Sequence, residues 1–450
     1  MSKLWNPTRR VLGALATIAL GASALVALTS GPATAFGPGC SGATIEVTTN
    51  TDAALRAAFT TANGLAGPQT ICIDSGLGTI TLGGTELAYT GSATPALTVL
   101  GNGITISGNN ASRVLNATGP LTLNGVTITG GIVAGAGGGV SANGNVTLTD
   151  STISGNTATT GAGGGLSANG TLVLTNSTIS DNTGQGAGGG VWANGTAALT
   201  NSTISGNTAT TGAGGGLWAN GTLVLTNSTI SANTGQGDGG GVSANGTAAL
   251  TNSTISGNTA TTGAGGGLAA NGTVTLVYAT LVQNSSSVGA NLDAAGGGLT
   301  SFGSVVAQAG GGGANCAVGS TTSNGFNFSD DASAGVSCHF DAATDLVGTS
   351  NDPNLGALEN NGGPTPTRLP LSGSPLIDAI PLASCQADGA SGITTDQRGF
   401  PRPALNGCDI GAVELQSFPP VAPVPVPVAP VSVPPASVPA PVAIAPRFTG

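Results

Sequence analysis

The acidic side chains are the first candidates for chemistry in this chain of 450 residues. Hydrolysis of a glycoside needs two carboxylates about 5–9.5 Å apart, and a polysaccharide lyase needs a base, commonly beside a Ca²⁺ ion. Between residues 114 and 292 the acids are Asp150, Asp181 and Asp238, which fall at different positions of the repeats described below, and that stretch has no Lys, Arg or His. The sequence therefore disfavours an enzyme. If the protein is one, we expect a polysaccharide lyase or a glycoside hydrolase.

The C-terminal region holds the densest group of charges. This group comprises Asp378, Asp396, Arg398, Arg402, Asp409 and Glu414. We interpret it as a structural network of Arg–carboxylate pairs in a disulfide-tied cap, with an active site as the alternative.

Five further acids could offer oxygen ligands to Ca²⁺. They are Asp330, Asp331, Asp341, Asp345 and Asp352. Their spacing matches no EF-hand or nonapeptide pattern, which favours solvated loop acids. His339 beside Cys338 is expected to be a surface residue, and no metal site or cofactor is predicted.

Trp192 and Trp218 occupy the same position of successive repeats, where other repeats have Ser or Ala. Each follows an apolar residue expected to point inward, so alternation along a strand directs the indoles outward. Two exposed indoles one coil apart would suit stacking on sugar rings or on the apolar patch of a partner. The alternative is that they pack only on each other or under a neighbouring loop.

The composition excludes several classes of protein. Charged residues make up 6% and aromatic residues 3% of the chain, which contains 78 Gly and 25 Pro. Lys and Arg number 9 against 19 Asp and Glu, a formal net charge of −10. Because no basic stripe exists to neutralise phosphates, nucleic acid is not expected as a partner.

Residues 1–35 are typical of a secretory signal peptide. Lys3, Arg9 and Arg10 precede a long apolar stretch, and residues 33–35 read Ala-Thr-Ala, which predicts cleavage before Phe36. An uncleaved membrane anchor is the competing interpretation. No later apolar run approaches the roughly 20 residues of a membrane helix, so the mature chain is expected to have no transmembrane segment.

The six cysteines fit an oxidising compartment, because their number is even and no C-x-x-C occurs. The sequence-local pairing is one of many possible connectivities: Cys40 with Cys72, Cys316 with Cys338, and Cys385 with Cys408. Together with the leader, the cysteines predict a secreted, extracellular or cell-surface protein.

A repeat of 25 or 26 residues dominates the sequence. Gly triplets begin at positions 137, 163, 188, 214, 239 and 265, and residues 171–221 match residues 222–272 at 47 of 51 positions. Each unit has three short segments rich in Thr, Val, Ile and Leu with alternating polarity, separated by Gly and Asn. Such a unit stacked on its own copies predicts an all-β, right-handed parallel β-helix of about ten coils.

The columns of the stack assign inward and turn positions. Val140, Leu166 and their equivalents, and Leu148, Leu174 and theirs, are apolar in every coil and are expected to point inward. One column is unbroken asparagine, which we interpret as a structural amide ladder. It comprises Asn156, Asn182, Asn207, Asn233, Asn258 and Asn284.

The chain divides into five predicted parts. After the signal peptide (1–35) come an N-terminal cap with a short helix (36–78) and the β-helix with its 25/26-residue coils (79–330). A C-terminal cap (331–416) and a Pro/Val/Ala-rich tail (417–450), expected to be disordered, complete it.

Several motifs resemble the secreted β-helix proteins that have a choice-of-anchor Q C-terminal region. The segment 52–63, the Gly-Gly-Gly and Ile-Ser-Gly-Asn coils, and the C-terminal motifs at 352–356, 361–365, 374–378, 395–399 and 408–414 carry the resemblance. The repeats are also similar to those of polymorphic outer-membrane adhesins. The resemblance implies a pectate-lyase-like solenoid exposed at a surface or secreted. The family's Glu in the capping segment is Ala57 here.

The sequence therefore predicts a non-catalytic secreted or cell-surface β-helix acting in adhesion or as an envelope or matrix component. Its expected partners are a polysaccharide or a cell-surface protein, and no oligomeric state is predicted. The alternatives are a carbohydrate-active enzyme and an inert structural spacer.

Overall fold

The structure is a computed structural model that describes residues 40, 42–91, 96–331, 337–348, 352–387 and 389–416. The predicted signal peptide and the Pro-rich tail lie outside these residues. Within them, no helix is long and apolar enough to cross a lipid bilayer.

Parallel strand pairing between successive coils confirms the predicted β-helix. One coil contains the strands Leu166–Ala168, Leu172–Thr175, Thr178–Ser180 and Thr183–Gly184, each paired in parallel with its equivalent in the next coil. The strands equivalent to Leu172–Thr175 form a stack that we call wall 1, and those equivalent to Thr178–Ser180 form wall 2. The strands equivalent to Thr183–Gly184 form wall 3, and those equivalent to Leu166–Ala168 form wall 4. The sequence predicted three strands per coil. The fourth was missed because a strand of two residues has no detectable alternation.

Walls 1 and 2 are continuous in two strands that span both, Leu97–Ser107 and Leu121–Thr129. The other strands of wall 1 are Ile45–Val47, Gln69–Ile73, Val146–Thr149, Leu172–Thr175, Ala197–Thr200, Leu223–Thr226, Ala248–Thr251, Val274–Val277, Leu299–Phe302 and Thr321–Ser323. Those of wall 2 are Thr79–Thr81, Thr152–Ser154, Thr178–Ser180, Thr203–Ser205, Thr229–Ser231, Thr254–Ser256, Thr280–Val282, Val305–Ala307, Phe328–Ser329 and Leu346–Val347.

Wall 3 has six short strands and wall 4 has ten. Wall 3 comprises Ile132–Val133, Thr157–Ala158, Thr183–Gly184, Thr208–Ala209, Thr234–Gly235 and Thr259–Ala260. Wall 4 comprises Leu87–Tyr89, Leu115–Ala117, Val140–Ala142, Leu166–Ala168, Val191–Ala193, Leu217–Ala219, Val242–Ala244, Leu268–Ala270, Leu292–Ala294 and Cys316–Val318.

The core is a stack of aliphatic columns inside the walls. Leu166, Val191 and Leu217 of wall 4 are fully buried, as are Leu174 and Leu225 of wall 1. Identical or similar side chains therefore lie directly above one another at the strand spacing of about 4.8 Å. This arrangement places the alternate residues of each strand on the outer surface.

The helix Asp52–Gly64 covers the N-terminal part of the molecule. The Thr51 side chain accepts a hydrogen bond from Ala54 N and so caps the first turn. Its apolar face is buried against the first strands through Leu55 and Phe59. The predicted short capping helix is thus present.

The C-terminal segment 352–416 packs along the side of the β-helix, on wall 2. Its two strands, Ile380–Pro381 and Gly407–Cys408, form an antiparallel pair, with a 3₁₀ turn at Leu382–Ser384. Its hydrogen bonds reach wall 2 as far back as the coil of Thr229. The sequence had assigned this region to a terminal cap. The structure adds that this segment also contacts wall 2, through residues more than a hundred positions apart, for which no repeat exists to guide a prediction.

Candidate functional site

Trp192 and Trp218 stack on each other on the outer surface of wall 4. They are direct partners in the parallel register of Val191–Ala193 and Leu217–Ala219. Their ring centroids are 5.6 Å apart and their planes are inclined by 2°. Both indoles are only partly exposed. The two indoles therefore form a stacked pair. Part of each ring contacts the other ring, and part remains accessible to solvent.

The local sequence explains why the two indoles align. Each Trp follows a fully buried Val or Leu and precedes a buried Ala, so strand alternation turns it outward. A Gly triplet precedes both strands, beginning at Gly188 and Gly214 with positive φ values of 68° and 66°, which glycine adopts without strain. Identical turns in successive coils keep the two side chains in step.

Small residues flank the aromatic pair. Ser167 lies beside Trp192, and Ser243 lies beside Trp218 in the register of the wall. Both serines are nearly buried although they lie on the outer side of the strands. Each indole thus has one ring face against its partner and one face over a position with a small side chain.

Asp293 belongs to the same outer column and was missed by the sequence analysis. The register continues from Ser243 to Ala269 and then to Asp293. Burial raises the pKa of Asp293, and the negative charge of Asp238 raises it further. The coil before Asp293 is shorter than the repeat, which hid the alignment. The pattern Leu-x-Ala of wall 4, retained at 292–294, was the available signal.

The acids on the repeats remain in separate columns. Asp150 Oδ1 accepts a hydrogen bond from Asn176 Nδ2 at 3.0 Å, and Asp238 Oδ1 accepts one from Ala264 N at 2.8 Å. Asp181 is exposed. Its backbone is in the left-handed region, with a φ of 56°, as is that of Gly206 at the equivalent position of the next coil. Neither Asp150 nor Asp181 shares a column with Asp293.

The buried asparagines form a continuous ladder of amide hydrogen bonds. Asn207 Nδ2 donates to Asn233 Oδ1 at 2.9 Å and to Ile179 O at 3.0 Å, and Asn207 N donates to the same Asn233 Oδ1 at 3.0 Å. Asn207 Oδ1 in turn accepts from Asn182 N and Nδ2 at 3.0 Å each. The same contacts between neighbours recur at Asn156, Asn182, Asn233 and Asn258.

The ladder ends on two carboxylates. It passes from Asn284 through Asn291 to Asn315, whose Nδ2 donates to Asp330 Oδ1 at 2.6 Å and to Asp331 Oδ1 at 3.0 Å. The interpretation of these two aspartates as solvated loop acids is therefore wrong, because the last amide of the ladder needs acceptors.

Asp345 is also an acceptor and not a solvated loop acid. It receives hydrogen bonds from Asn327 N at 2.8 Å and Ala342 N at 2.9 Å. Asp341, Asp352 and His339 are exposed.

The predicted C-terminal charges come together in the packed C-terminal segment. Asp396 and Arg398 form an ion pair at 2.8 Å, and Arg402 lies 3.6 Å from Glu414. Asp409 accepts hydrogen bonds from Asp378 N at 2.7 Å and Leu415 N at 2.7 Å.

Backbone amides occupy the remaining acceptor sites of this network. Glu414 accepts from Ala404 N and Asp409 N, and Asp378 accepts from Asn406 N and Gly407 N. Asp396, Asp409 and Glu414 are at most 1% exposed. A dissolved substrate cannot reach such carboxylates, so their arrangement supports the structural interpretation of this group.

Burial is the main cause of the raised pKa values of Glu414 and Asp409. It raises the pKa of Glu414 to about 7, although the Arg402 charge opposes the change. It also raises the pKa of Asp409. The Arg402 guanidinium lies 3.9 Å from the centre of the Tyr278 ring, where burial raises the phenol pKa to about 12.

Three disulfides confirm the sequence-local pairing. They join Cys40 to Cys72, Cys316 to Cys338, and Cys385 to Cys408. The first lies at the N-terminal part, the second at the last strand of wall 4, and the third ties together the antiparallel strands of the C-terminal segment. All six cysteines are thereby used.

One group of possible metal ligands was not considered from the sequence. Among the described residues, ligand atoms of Cys40, Glu46 and Asp74 lie within 4.8 Å of one another. The Cys40 sulfur is bonded to Cys72 and cannot act as a thiolate. Burial, and after it the hydrogen bond and the charge of Glu46, raises the pKa of Asp74.

Comparison with known proteins adds little to this geometry. No family model and no curated protein matches the chain. A solved structure titled "Crystal structure of pectate lyase Pel9A" is similar to it with a TM-score of 0.46 and 17% identity, over 79% of this chain and 90% of that chain. A likeness of this size says nothing about activity, and the β-helix is established by the strand pairing itself.

Proposed function

We propose that this protein is a non-catalytic β-helix of the cell surface or extracellular space that acts in adhesion or as an envelope or matrix component. The observation that carries the proposal is the stacked, partly exposed pair of Trp192 and Trp218 on a wall of small side chains. In this proposal the pair contacts a saccharide, and the long repeated surface allows many weak contacts at once.

The near-identity of neighbouring repeats supports a role for the pair beyond folding. Residues 171–221 and 222–272 differ at four positions, and at two of them the tryptophans are replaced by Ser243 and Ala269. The coils with Ser and Ala keep the same strands and register as those with Trp. The β-helix therefore does not require an indole at this position.

Two further features are compatible with the proposed location. Three disulfides suit an oxidising compartment, and the resemblance to choice-of-anchor Q proteins implies surface exposure. The leader 1–35, the cap 36–78, the coils 79–330, the C-terminal region 331–416 and the tail 417–450 are retained as the proposed organisation. Nucleic acid is not proposed as a partner, because the sequence has 9 Lys and Arg against 19 Asp and Glu.

An enzyme acting on polysaccharides is the second candidate. The specific observation in its favour is that Asp293 occupies the Trp column and that its carboxyl responds to the charge of Asp238. An inert spacer is the third candidate, and it predicts no ligand.

The decisive experiment uses intrinsic fluorescence. In the chain from Phe36 to Gly450, Trp192 and Trp218 are the remaining tryptophans, because the third is Trp5. We would titrate this protein with soluble polysaccharides and their oligosaccharides, and assay each mixture for new reducing ends and unsaturated products. We expect a saturable change in fluorescence without product.

The repeats themselves supply the matched variants. Trp192→Ser and Trp218→Ala introduce the residues of the neighbouring near-copy, and each leaves one indole as a reporter. The control is Asp181→Ala, the same kind of exchange at a different column. Binding should be weakened by either Trp exchange and unchanged by the control. Product formation would establish the enzyme, and the absence of any response would favour the spacer.

A further inference from the structure

The outer surface of wall 2 is a regular array of hydroxyl groups. Its strands read Thr-Ile-Ser or a close variant, and the strand register places Thr on Thr and Ser on Ser or Thr. The Thr column is Thr79, Thr105, Thr127, Thr152, Thr178, Thr203, Thr229, Thr254 and Thr280. We call this surface the Thr/Ser face.

The C-terminal half of the Thr/Ser face is covered by the chain's own segment 352–416. Thr229 and Thr254 are fully buried, and Ser256 is 1% exposed. Thr229 Oγ1 donates to Pro366 O at 2.7 Å, and Thr254 Oγ1 donates to Gln397 Oε1 at 2.7 Å. The hydroxyls of this face therefore bind an irregular peptide segment through carbonyl and amide oxygens.

The N-terminal half carries the same hydroxyls but is open in the described structure. Thr152, Ser154, Thr178 and Ser180 are partly exposed, and so are Thr203 and Ser205 in the next coil. The two halves have the same residue types and the same register. Nothing in their own sequence explains why one is covered and the other is open.

The last described residues lie beside the covered half of the Thr/Ser face. Gly411 N donates to Gly303 O at 2.8 Å, and Ala412 N donates to Thr280 Oγ1, one coil earlier, at 3.0 Å. Glu414 N then donates to Asp396 Oδ2. Asp396 follows Thr395, whose carbonyl accepts from Asn252 Nδ2 in a still earlier coil.

The residues that follow have complementary chemistry. Residues 417–450 contain eleven Pro, no acid and a single Arg. Proline has no N–H, so such a segment offers unpaired carbonyl oxygens, and a hydroxyl of the covered half already binds a proline carbonyl at Pro366. An extended segment of this length reaches about 100 Å at about 3.1 Å per residue, whereas the six open coils span about 30 Å.

We propose that residues 417–450 bind the open half of the Thr/Ser face, with their carbonyl oxygens accepting hydrogen bonds from its Thr and Ser hydroxyls. The tail then extends the interface that segment 352–416 makes with the same face. This inference is independent of the proposed saccharide contact on wall 4.

Photo-crosslinking tests the proposal on the full exported chain. Because the six native cysteines are disulfide-bonded, Ser180→Cys introduces a single free thiol, which we would label with benzophenone maleimide. Ser141→Cys on wall 4, which is also partly exposed, is the matched control. We expect tail peptides from the same chain to be captured several-fold more often from position 180 than from 141.

The other outcomes would overturn the proposal. Equal capture from both positions would mean that the tail has no preference for the Thr/Ser face. Capture of a second chain would assign the open half to another copy, and no captured tail peptide would leave the face to other ligands. Ser154→Cys provides a second probe in a different coil should Ser180→Cys impair folding.

Discussion

At the scale of single residues, the asparagine ladder shows how one side chain can hold two coils. Each ladder amide accepts from the coil before it and donates to the coil after it. Because these groups are buried, every lost partner leaves a polar atom without water to replace it. The direction of donation is uniform, which explains why the ladder ends on Asp330 and Asp331 and not on a further donor.

Asn207→Asp keeps the shape of the side chain but removes its N–H donors. The carboxylate would face Asn233 Oδ1 and Ile179 O, which are now bound by Asn207 Nδ2. We expect a loss of about 3 kcal/mol or more in the free energy of unfolding, measured by urea denaturation.

Asn201→Asp is the isosteric control for this change. Asn201 is only partly buried and its column already contains Asp150 at the equivalent turn. We expect its unfolding midpoint to stay close to that of the unchanged protein. Equal losses of unfolding free energy in both variants would show that the buried asparagine ladder contributes no more to stability than the outer column of Asn201.

At the scale of the coil, the Gly triplets set the distance between neighbouring turns. A Cβ added at Gly215 would overlap Gly240 O and Thr234 C, both of which belong to the next coil. The second glycine of the triplet is therefore needed for close approach of two backbones, a requirement separate from the positive φ of the first.

Gly215→Ala should force these turns apart. We expect a loss of about 2–3 kcal/mol in the free energy of unfolding, together with a changed Trp fluorescence because Trp218 lies three residues later. Gly64→Ala, at the end of the capping helix, is the control because nothing lies within 4 Å of its added Cβ. A stable Gly215→Ala protein with native fluorescence would contradict the argument.

At the scale of the C-terminal segment, stability should depend on pH. The folded pKa of Glu414 is about 7 and that of Asp409 is also raised, whereas an unfolded Glu titrates near about 4.3. The folded state binds these protons more tightly, so the stabilisation is complete below the unfolded pKa and is lost as pH rises through the folded pKa.

We therefore expect the free energy of unfolding to fall by up to about 3 kcal/mol between pH 4.5 and 8. Glu414→Gln should flatten this dependence in urea unfolding curves measured across that range. Glu359→Gln, at an exposed position of the same segment, should leave the slope unchanged. A rise in stability over this pH range would disprove the assignment.

At the scale of the whole molecule, the three disulfides act in separate places. Because each coil contacts mainly its neighbours, loss of one crosslink should have a local effect. The Cys385–Cys408 bond closes a loop of 23 residues within the segment that covers wall 2.

Cys385→Ser combined with Cys408→Ser should loosen this segment by about 3 kcal/mol. We expect faster proteolysis between residues 352 and 416, located by mass spectrometry, while the coils stay intact. Cys40→Ser with Cys72→Ser is the control, and it should leave proteolysis of the C-terminal segment unchanged. Cleavage within the coils of the first variant would show that the covering segment is essential to them.

Most structural features that lie within the repeats could be predicted from the sequence, and the contacts of other segments with the repeats could not. The inward columns, the ladder of Asn156 and its equivalents, and the alignment of Trp192 with Trp218 were all predictable because parallel coils place equivalent residues in register. Wall 3 was missed because its strands have two residues, and Asp293 was missed because the step to its coil is irregular.

The sequence by itself determined the β-helix, since a period of 25 or 26 residues permits one regular way of burying its aliphatic columns. Only the tertiary structure decided that the segment 352–416 covers wall 2, that Asp330 and Asp331 terminate the amide ladder, and that the described residues cover one half of the Thr/Ser face and not the other. The physical reason is that these contacts join non-repeating residues to the repeats. Their partners are chosen by shape and hydrogen-bond complementarity across long chain separations, and local pattern carries no information about such choices.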